Sequence, residues 1–191
     1  MKEVLKMYLI VGLGNPEEEY SKTRHNMGFD VINKLAKKHD INVEKTKFQS
    51  LYGTGIIENE KVILVKPQTY MNNSGEAVKP FADFYKINPE NIIVIYDDID
   101  ILTGITKIRL KGGPGTHNGM KSVVHELGTT EFPRVRVGTG NGEKIKDLIS
   151  YVIGKVNDEE YEKLEEGINK GVIAIEKILE IGIEKAMSML N

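Results

Sequence analysis

Two of the four histidines in this chain stand beside asparagines. His25 lies in Thr23-Arg24-His25-Asn26, shortly after an apolar run that ends Gly12-Leu13-Gly14-Asn15-Pro16, and His117-Asn118 follows a glycine-rich turn. Both segments read as loops leaving strands, where a rigid scaffold usually presents its catalytic side chains. The pattern suggests hydrolysis without a metal or covalent nucleophile, with an imidazole as the group able to activate water. Competing mechanisms lack their residues. There is no cysteine, no Gly-x-Ser-x-Gly elbow, no His-Glu-x-x-His and no His-x-His pair.

Asp97-Asp98-Ile99-Asp100 follows the uninterrupted apolar run Ile92 to Tyr96 and is expected to close a central strand, a place where open α/β sheets collect ligand-binding groups. These carboxylates admit two readings. They could hold magnesium against phosphates, but the other candidate groups in the chain are histidines and amides rather than further oxygen ligands of matching spacing. In the favoured reading Asp97, at the strand terminus, accepts a hydrogen bond from one nitrogen of His25 and leaves the other free as a base. Gly12-x-Gly14 imitates a dinucleotide fingerprint, yet Glu17 occupies the third glycine position, Glu18 and Glu19 follow, and Pro16 removes a backbone donor. NAD and FAD are therefore discounted, and no cofactor is expected. Asn15 either points its amide into a cleft at the strand end or simply serves the turn.

The elements that must hold these residues alternate in type. Tyr8 to Leu13 reads as a buried strand and Met27 to Lys38 as the helix after it. Phe48 to Ile57 and Val62 to Val65 read as a hairpin turning at Asn59-Glu60. Ser74 is expected to cap a helix running toward Tyr85 with Pro80 inside it. Thr106 to Leu110 and Arg134 to Val137 alternate basic with apolar residues, and Gly119 to Leu127 reads as a helix. Tyr161, Leu164, Ile168, Val172, Ile175, Ile178 and Leu179 recur at helical spacing in a closing amphipathic segment, Asp158 to Leu190, with a break expected near Gly182. The class is α/β with a mixed sheet.

At 191 residues, 40% hydrophobic and 28% charged, the chain suits a single domain over residues 1–191, and no repeat or linker divides it. The short apolar run near the start, interrupted upstream by Glu3 and followed by Asn15-Pro16-Glu17, supports neither an export signal nor a membrane span, so a cytoplasmic location is expected. The formal charge of -2 hides a gradient. Residues 101–142 carry six Lys or Arg against two acidic residues, whereas residues 143–191 carry eleven acidic against seven basic ones. A phosphate-bearing partner would therefore meet the middle of the chain. His39 and His125 match no reactive motif.

Several blocks, in order, resemble the bacterial peptidyl-tRNA hydrolases: Leu9 to Pro16, Thr23-Arg24-His25-Asn26-x-Gly28-Phe29, Lys66-Pro67-x-Thr69-Tyr70-Met71-Asn72-x-Ser74-Gly75, Asp97-x-x-Asp100, Gly112-Gly113-x-Gly115-x-His117-Asn118-Gly119, and the ending Ala186-Met187 to Asn191. The resemblance spans nearly the whole chain and implies a monomeric three-layer α/β/α sandwich around a twisted mixed sheet. It implies hydrolysis of the ester between peptide and tRNA, with His25 as base, Asp97 orienting it, and Asn15, Asn72 and Asn118 around the scissile ester. Asn118 or Asn72 is favoured for the oxyanion. Tyr20, Tyr70, Met71 and His117 are expected on the substrate side. Arg109 and Arg136 match a clamp for the 5′ phosphate of tRNA, with Lys107, Lys111, Lys121 and Arg134 as auxiliary contacts. The chain departs from the family at Arg109, where lysine is commoner, at Glu17, and at Pro114 and Thr116 in the glycine-rich turn. Two other readings remain: a noncatalytic RNA-binding relative of the same fold, and a magnesium-dependent phosphate enzyme built on Asp97, Asp98 and Asp100.

Overall fold

A computed structural model describes residues 6–191; Glu3 lies outside them. Seven strands form one sheet in the order β2-β3-β4-β1-β5-β7-β6. They are β1 (Met7–Gly12), β2 (Lys45–Lys47), β3 (Ser50–Ile57), β4 (Glu60–Pro67), β5 (Ile92–Leu102), β6 (Thr106–Arg109) and β7 (Arg134–Gly140). β1 runs parallel to β4 and β5, and β5 parallel to β7, while β2, β3 and β6 add antiparallel edges. The helices are α1 (Met27–Lys38), α2 (Ser74–Phe84), α3 (Asn118–Leu127), α4 (Leu148–Ile153), α5 (Asp158–Ile181) and α6 (Ile183–Leu190).

Both faces of the central strands are covered, which is why those strands read as unbroken apolar runs. Leu9, Val11, Val94 and Tyr96 pack with Val78, Phe81, Met120 and Val123 of α2 and α3. Ile10, Ile93 and Ile95 pack on the other side with Val31, Ile32 and Leu35 of α1 and Ile168, Val172 and Ile175 of α5. Because α1 and α2 leave neighbouring strands toward opposite faces, a crevice opens at the carboxyl ends of β1, β4 and β5. Close contact sharpens it: a Cβ at Gly28 would fall 2.4 Å from the Ile95 carbonyl oxygen, and one at Gly12 would fall 2.1 Å from the Gly28 oxygen. Only glycines let the start of α1, with His25 just before it, lie this near β5.

Several boundaries differ from expectation. The β3–β4 turn is centred on Glu58 and Asn59, with φ of 50° and 63°, a pair of left-handed residues that suits the twist of a two-residue hairpin. β3 begins at Ser50 because Phe48 and Gln49, also at positive φ, turn the chain back from β2. Ser74 does not cap α2. It is the first helical residue, and its hydroxyl donates to the Met71 carbonyl at 2.7 Å. α2 runs on through Pro80. β5 does not stop at Asp97: it continues to Leu102, with a shift in its pairing to β7 after Asp98. The helical break falls at Gly182, whose φ is 87°. Among the described residues no helix is long and apolar enough to cross a membrane.

Candidate active site

A cleft of about 600 Å³ opens at the strand ends, and Asn15, Tyr20, His25, Tyr70, Met71, Asn72, Asp97, Arg109, His117, Asn118 and Arg136 all line it. His25 sits in a short 3-10 turn, Arg24–Asn26, that leads directly into α1. Its Nδ1 lies 3.1 and 2.9 Å from the two oxygens of Asp97, a side chain 1% exposed. A proton on Nδ1 satisfies that carboxylate and leaves Nε2 as the basic nitrogen. Burial, the largest influence on His25, disfavours the imidazolium, but the charge and hydrogen bond of Asp97 outweigh it and the net shift is upward. For Asp97 burial favours protonation, yet His25 and His117 together hold its pKa well below the usual carboxylate range.

His117 occupies a place that sequence spacing alone did not define. Its Nδ1 accepts the Met120 N–H at 3.2 Å, capping α3, so the proton is on Nε2, which donates to Asp97 Oδ1 at 2.8 Å. The two imidazoles are 5.0 Å apart, and the ring of Tyr96 lies edge-on to His117 at 4.9 Å. Among the described residues, His25, Asp97 and His117 are the one group with clustered metal-type ligand atoms, and these atoms are already bonded to one another. Asp97, Asp98 and Asp100 do not converge: Asp98 pairs with Arg136 at 3.3 Å and accepts the Asp100 N–H at 2.9 Å.

Asn15 is 7% exposed and fixed on three sides. Its Oδ1 accepts the Met71 N–H at 2.8 Å, its backbone N–H donates to Asn26 Oδ1 at 2.8 Å, and its carbonyl accepts from Asn26 Nδ2 at 3.0 Å. With its carbonyl oxygen committed, Asn15 has the Nδ2 hydrogens to offer the cleft. Asn26, the asparagine beside His25, is thus a scaffold residue that braces Asn15. Asn72, in the 3-10 turn Met71–Asn73 before α2, and Asn118, the first residue of α3, are both exposed. The positive-φ positions of the glycine-rich turn fall on Gly112 and Gly115 and not on Thr116, a β-branched residue that would adopt them at a cost.

Tyr20 and Tyr70 stand at the rim, and the Tyr70 hydroxyl bonds to Glu17, which pushes the phenol pKa up. Met71 is only 3% exposed and belongs mainly to the core under α2 and α3, so its contact with the cleft is slight. α4, which the sequence did not reveal, sets Leu148, Ile149, Val152 and Ile153 along the opposite wall. Arg24 holds that wall to the His25 turn: its guanidinium lies 3.8 Å over the Tyr151 ring, donates to the Tyr151 carbonyl at 2.8 Å and pairs with Glu160.

The basic residues divide. Arg109 and Arg136 line the cleft, Lys107 is exposed on the same edge outside the lining, and Lys111 and Lys121 are exposed. Arg134 must be corrected: it is 0% exposed and cannot serve as a phosphate contact. Its guanidinium lies over Phe132 and donates to the carbonyls of Thr130, Phe132 and Gly113, anchoring the glycine-rich turn. His39 pairs with Glu176 at 3.0 Å, and His125 is exposed.

Residues 9–191 match the family model described as Peptidyl-tRNA hydrolase. The chain is 52% identical over 185 residues to the peptidyl-tRNA hydrolase of Clostridium acetobutylicum, covering 97% of this chain and 98% of that protein. It is 53% identical to the one from a Thermoanaerobacter species, covering 97% and 100%. The crystal structure of peptidyl-tRNA hydrolase from Acinetobacter baumannii superposes with a TM-score of 0.90 at 36% identity, over 97% of this chain and 94% of that one. Coverage from β1 to the last residue, on a fold whose cleft gathers these histidines and asparagines, assigns the chain to the peptidyl-tRNA hydrolase family.

Proposed function

We propose that this protein hydrolyses the ester joining peptide to tRNA with a water activated at Nε2 of His25. The observation that carries this reading is the His25 Nδ1 to Asp97 bond within a cleft that also contains Asn15, Asn72 and Asn118. Asp97 fixes the tautomer and stabilises the imidazolium that forms when water is deprotonated. Attack on the ester carbonyl gives a tetrahedral oxyanion, for which the amides of Asn118 or Asn72 are the available donors, with Asn15 Nδ2 as a further one. Collapse breaks the bond to the ribose oxygen, and the proton taken by His25 returns to that leaving group. Because an ester is more easily hydrolysed than an amide, a base and amide donors complete the reaction without a metal.

On the substrate side, Tyr20, Tyr70 and the edge of Met71 face the peptide, and His117 acts mainly through Asp97. Arg109 and Arg136 hold the acceptor end through its 5′ phosphate, with Lys107 adding charge; phosphate contacts give affinity without reading sequence, as an enzyme for many tRNAs requires. The enzyme works as a monomer in the cytoplasm, where translation supplies its substrate. The intact His25–Asp97 pair argues against a noncatalytic RNA-binding role. The deciding experiment is release of peptide from N-blocked aminoacyl-tRNA with and without chelator: undiminished turnover in chelator supports the reading, and loss restored by magnesium at constant ionic strength refutes it.

A further inference from the structure

β6 is the last strand of the sheet, and its exposed Lys107 and Arg109 flank the buried Ile108. Lys107 and Arg109 lie opposite Arg136 and Arg134 of β7, with Ile108 opposite Val135. Backbone groups alternate in direction along a strand, so when the residues on either side bond inward, those of Ile108 point to the free edge. An edge of this kind is ordinarily left to water or to another chain. Here one side chain fills it. Asn191 Oδ1 accepts the Ile108 N–H at 2.8 Å, and Asn191 Nδ2 donates to the Ile108 carbonyl at 2.7 Å. A single amide thereby makes both hydrogen bonds that a residue of a neighbouring strand would make. It is held there by α6: the Asn191 N–H donates to the Met187 carbonyl at 3.0 Å, and Ala186 is fully buried.

We infer that Asn191 is a positioning residue for tRNA recognition: by closing the edge of β6 at Ile108, it fixes Arg109 beside Arg136 for the 5′ phosphate. The inference rests on the phosphate-clamp reading above. β6 has four residues and is held by β7 on one side only, so fraying at Ile108 displaces the backbone that carries Arg109. The chemistry at His25 does not involve this edge.

The test compares wild type, Asn191→Ala, Asn191→Asp, Arg109→Ala and the Asn191→Ala/Arg109→Ala double variant. One substrate is full-length N-acetylaminoacyl-tRNA with its 5′ phosphate; the other carries the same ester on a short 3′-terminal oligonucleotide lacking that end. Loss of the paired hydrogen bonds should raise KM for the full-length substrate about three- to tenfold with kcat unchanged, leave the short ester unaffected, and speed amide exchange at Ile108. Asn191→Asp should do at least as much, since it keeps the acceptor but sets a carboxylate against the Ile108 carbonyl. In the Arg109→Ala background the Asn191→Ala effect should largely vanish. A normal KM for Asn191→Ala beside a raised one for Arg109→Ala overturns the inference alone, as do equal losses on both substrates or full additivity in the double variant. An unchanged KM for Arg109→Ala removes the clamp reading, and the inference with it.

Discussion

His117 Nε2 donates to Asp97 Oδ1 at 2.8 Å, on the same carboxylate that takes up Nδ1 of His25. Two loops from opposite sides of the sheet therefore meet on one buried charge. Asp97 is satisfied from both sides, so it can remain ionised in a place where an isolated carboxylate would be costly. The charge that orients His25 also secures the loop that presents Asn118.

Replacing His25 by Ala should leave the fold and tRNA affinity largely intact while lowering ester hydrolysis by about 10²-fold or more. Single-turnover rates with full-length substrate measure this directly. Near-normal turnover would remove the proposed base.

A base must be neutral to act, and the pKa of His25 is raised above its ordinary value of 6.5. The acid limb of the rate profile should accordingly lie above that value, with activity lost as pH falls through it. Asp97→Asn removes the charge responsible, so the limb should move to lower pH while the plateau drops less than in His25→Ala. An unmoved limb would mean that Asp97 serves the fold alone.

Arg109 and Arg136 should separate from Arg134. Replacing the first two together by Ala should raise KM for full-length peptidyl-tRNA and flatten its salt dependence. Arg134→Ala, by contrast, strips the buried donors from three carbonyls and should cost roughly 2 to 4 kcal/mol of stability. Denaturant midpoints and salt-dependent KM values distinguish the two outcomes; a stable Arg134→Ala variant with weakened tRNA binding would reverse the assignment.

Asp30, on α1, is pushed up to about 6 by burial, only partly offset by the Tyr161 hydroxyl at 3.2 Å and by Lys66 and Lys34. Its folded pKa exceeds its unfolded one, so it contributes no penalty below the unfolded pKa of about 3.9 and a growing one as pH rises through 6. Asp30→Asn should therefore be more stable than wild type at pH 8, by on the order of 2 kcal/mol, and equal to it near pH 4. Melting temperatures across that range check the sign, and a destabilised variant at pH 8 would contradict it.

The main elements were legible because both faces of the central strands are buried and α5 repeats its apolar positions at helical spacing. His25, Asp97, Asn15 and Asn118 stand out by residue type and place, Asn72 only through the family resemblance, and the structure gathers all five at one cleft. Arg134 misled because alternation along β7 gives it the same face as Arg136; what separates them is the cover of Phe132 and the glycine-rich turn, which lies elsewhere in the sequence. β2 escaped notice because Lys-Thr-Lys has no apolar residue, and α4 because six residues are too few for a helical period to emerge. Asn26 is visible in the sequence beside His25, but its role is not: that it bonds the backbone of Asn15, eleven residues away, follows only from the folded turn.

While it is being synthesised, every copy of this chain is itself a peptide esterified to tRNA, a molecule of the class its family cleaves. The tie between Arg24 and α4 and α5 spans 127 residues to Tyr151 and 136 to Glu160. Contacts of such separation form only after the distant segment exists and the domain condenses around it. A growing chain that has not reached Glu160 cannot fasten the His25 turn in the way described. The fold thus leaves the His25 turn without this fastening until residues as far along as Glu160 have been made.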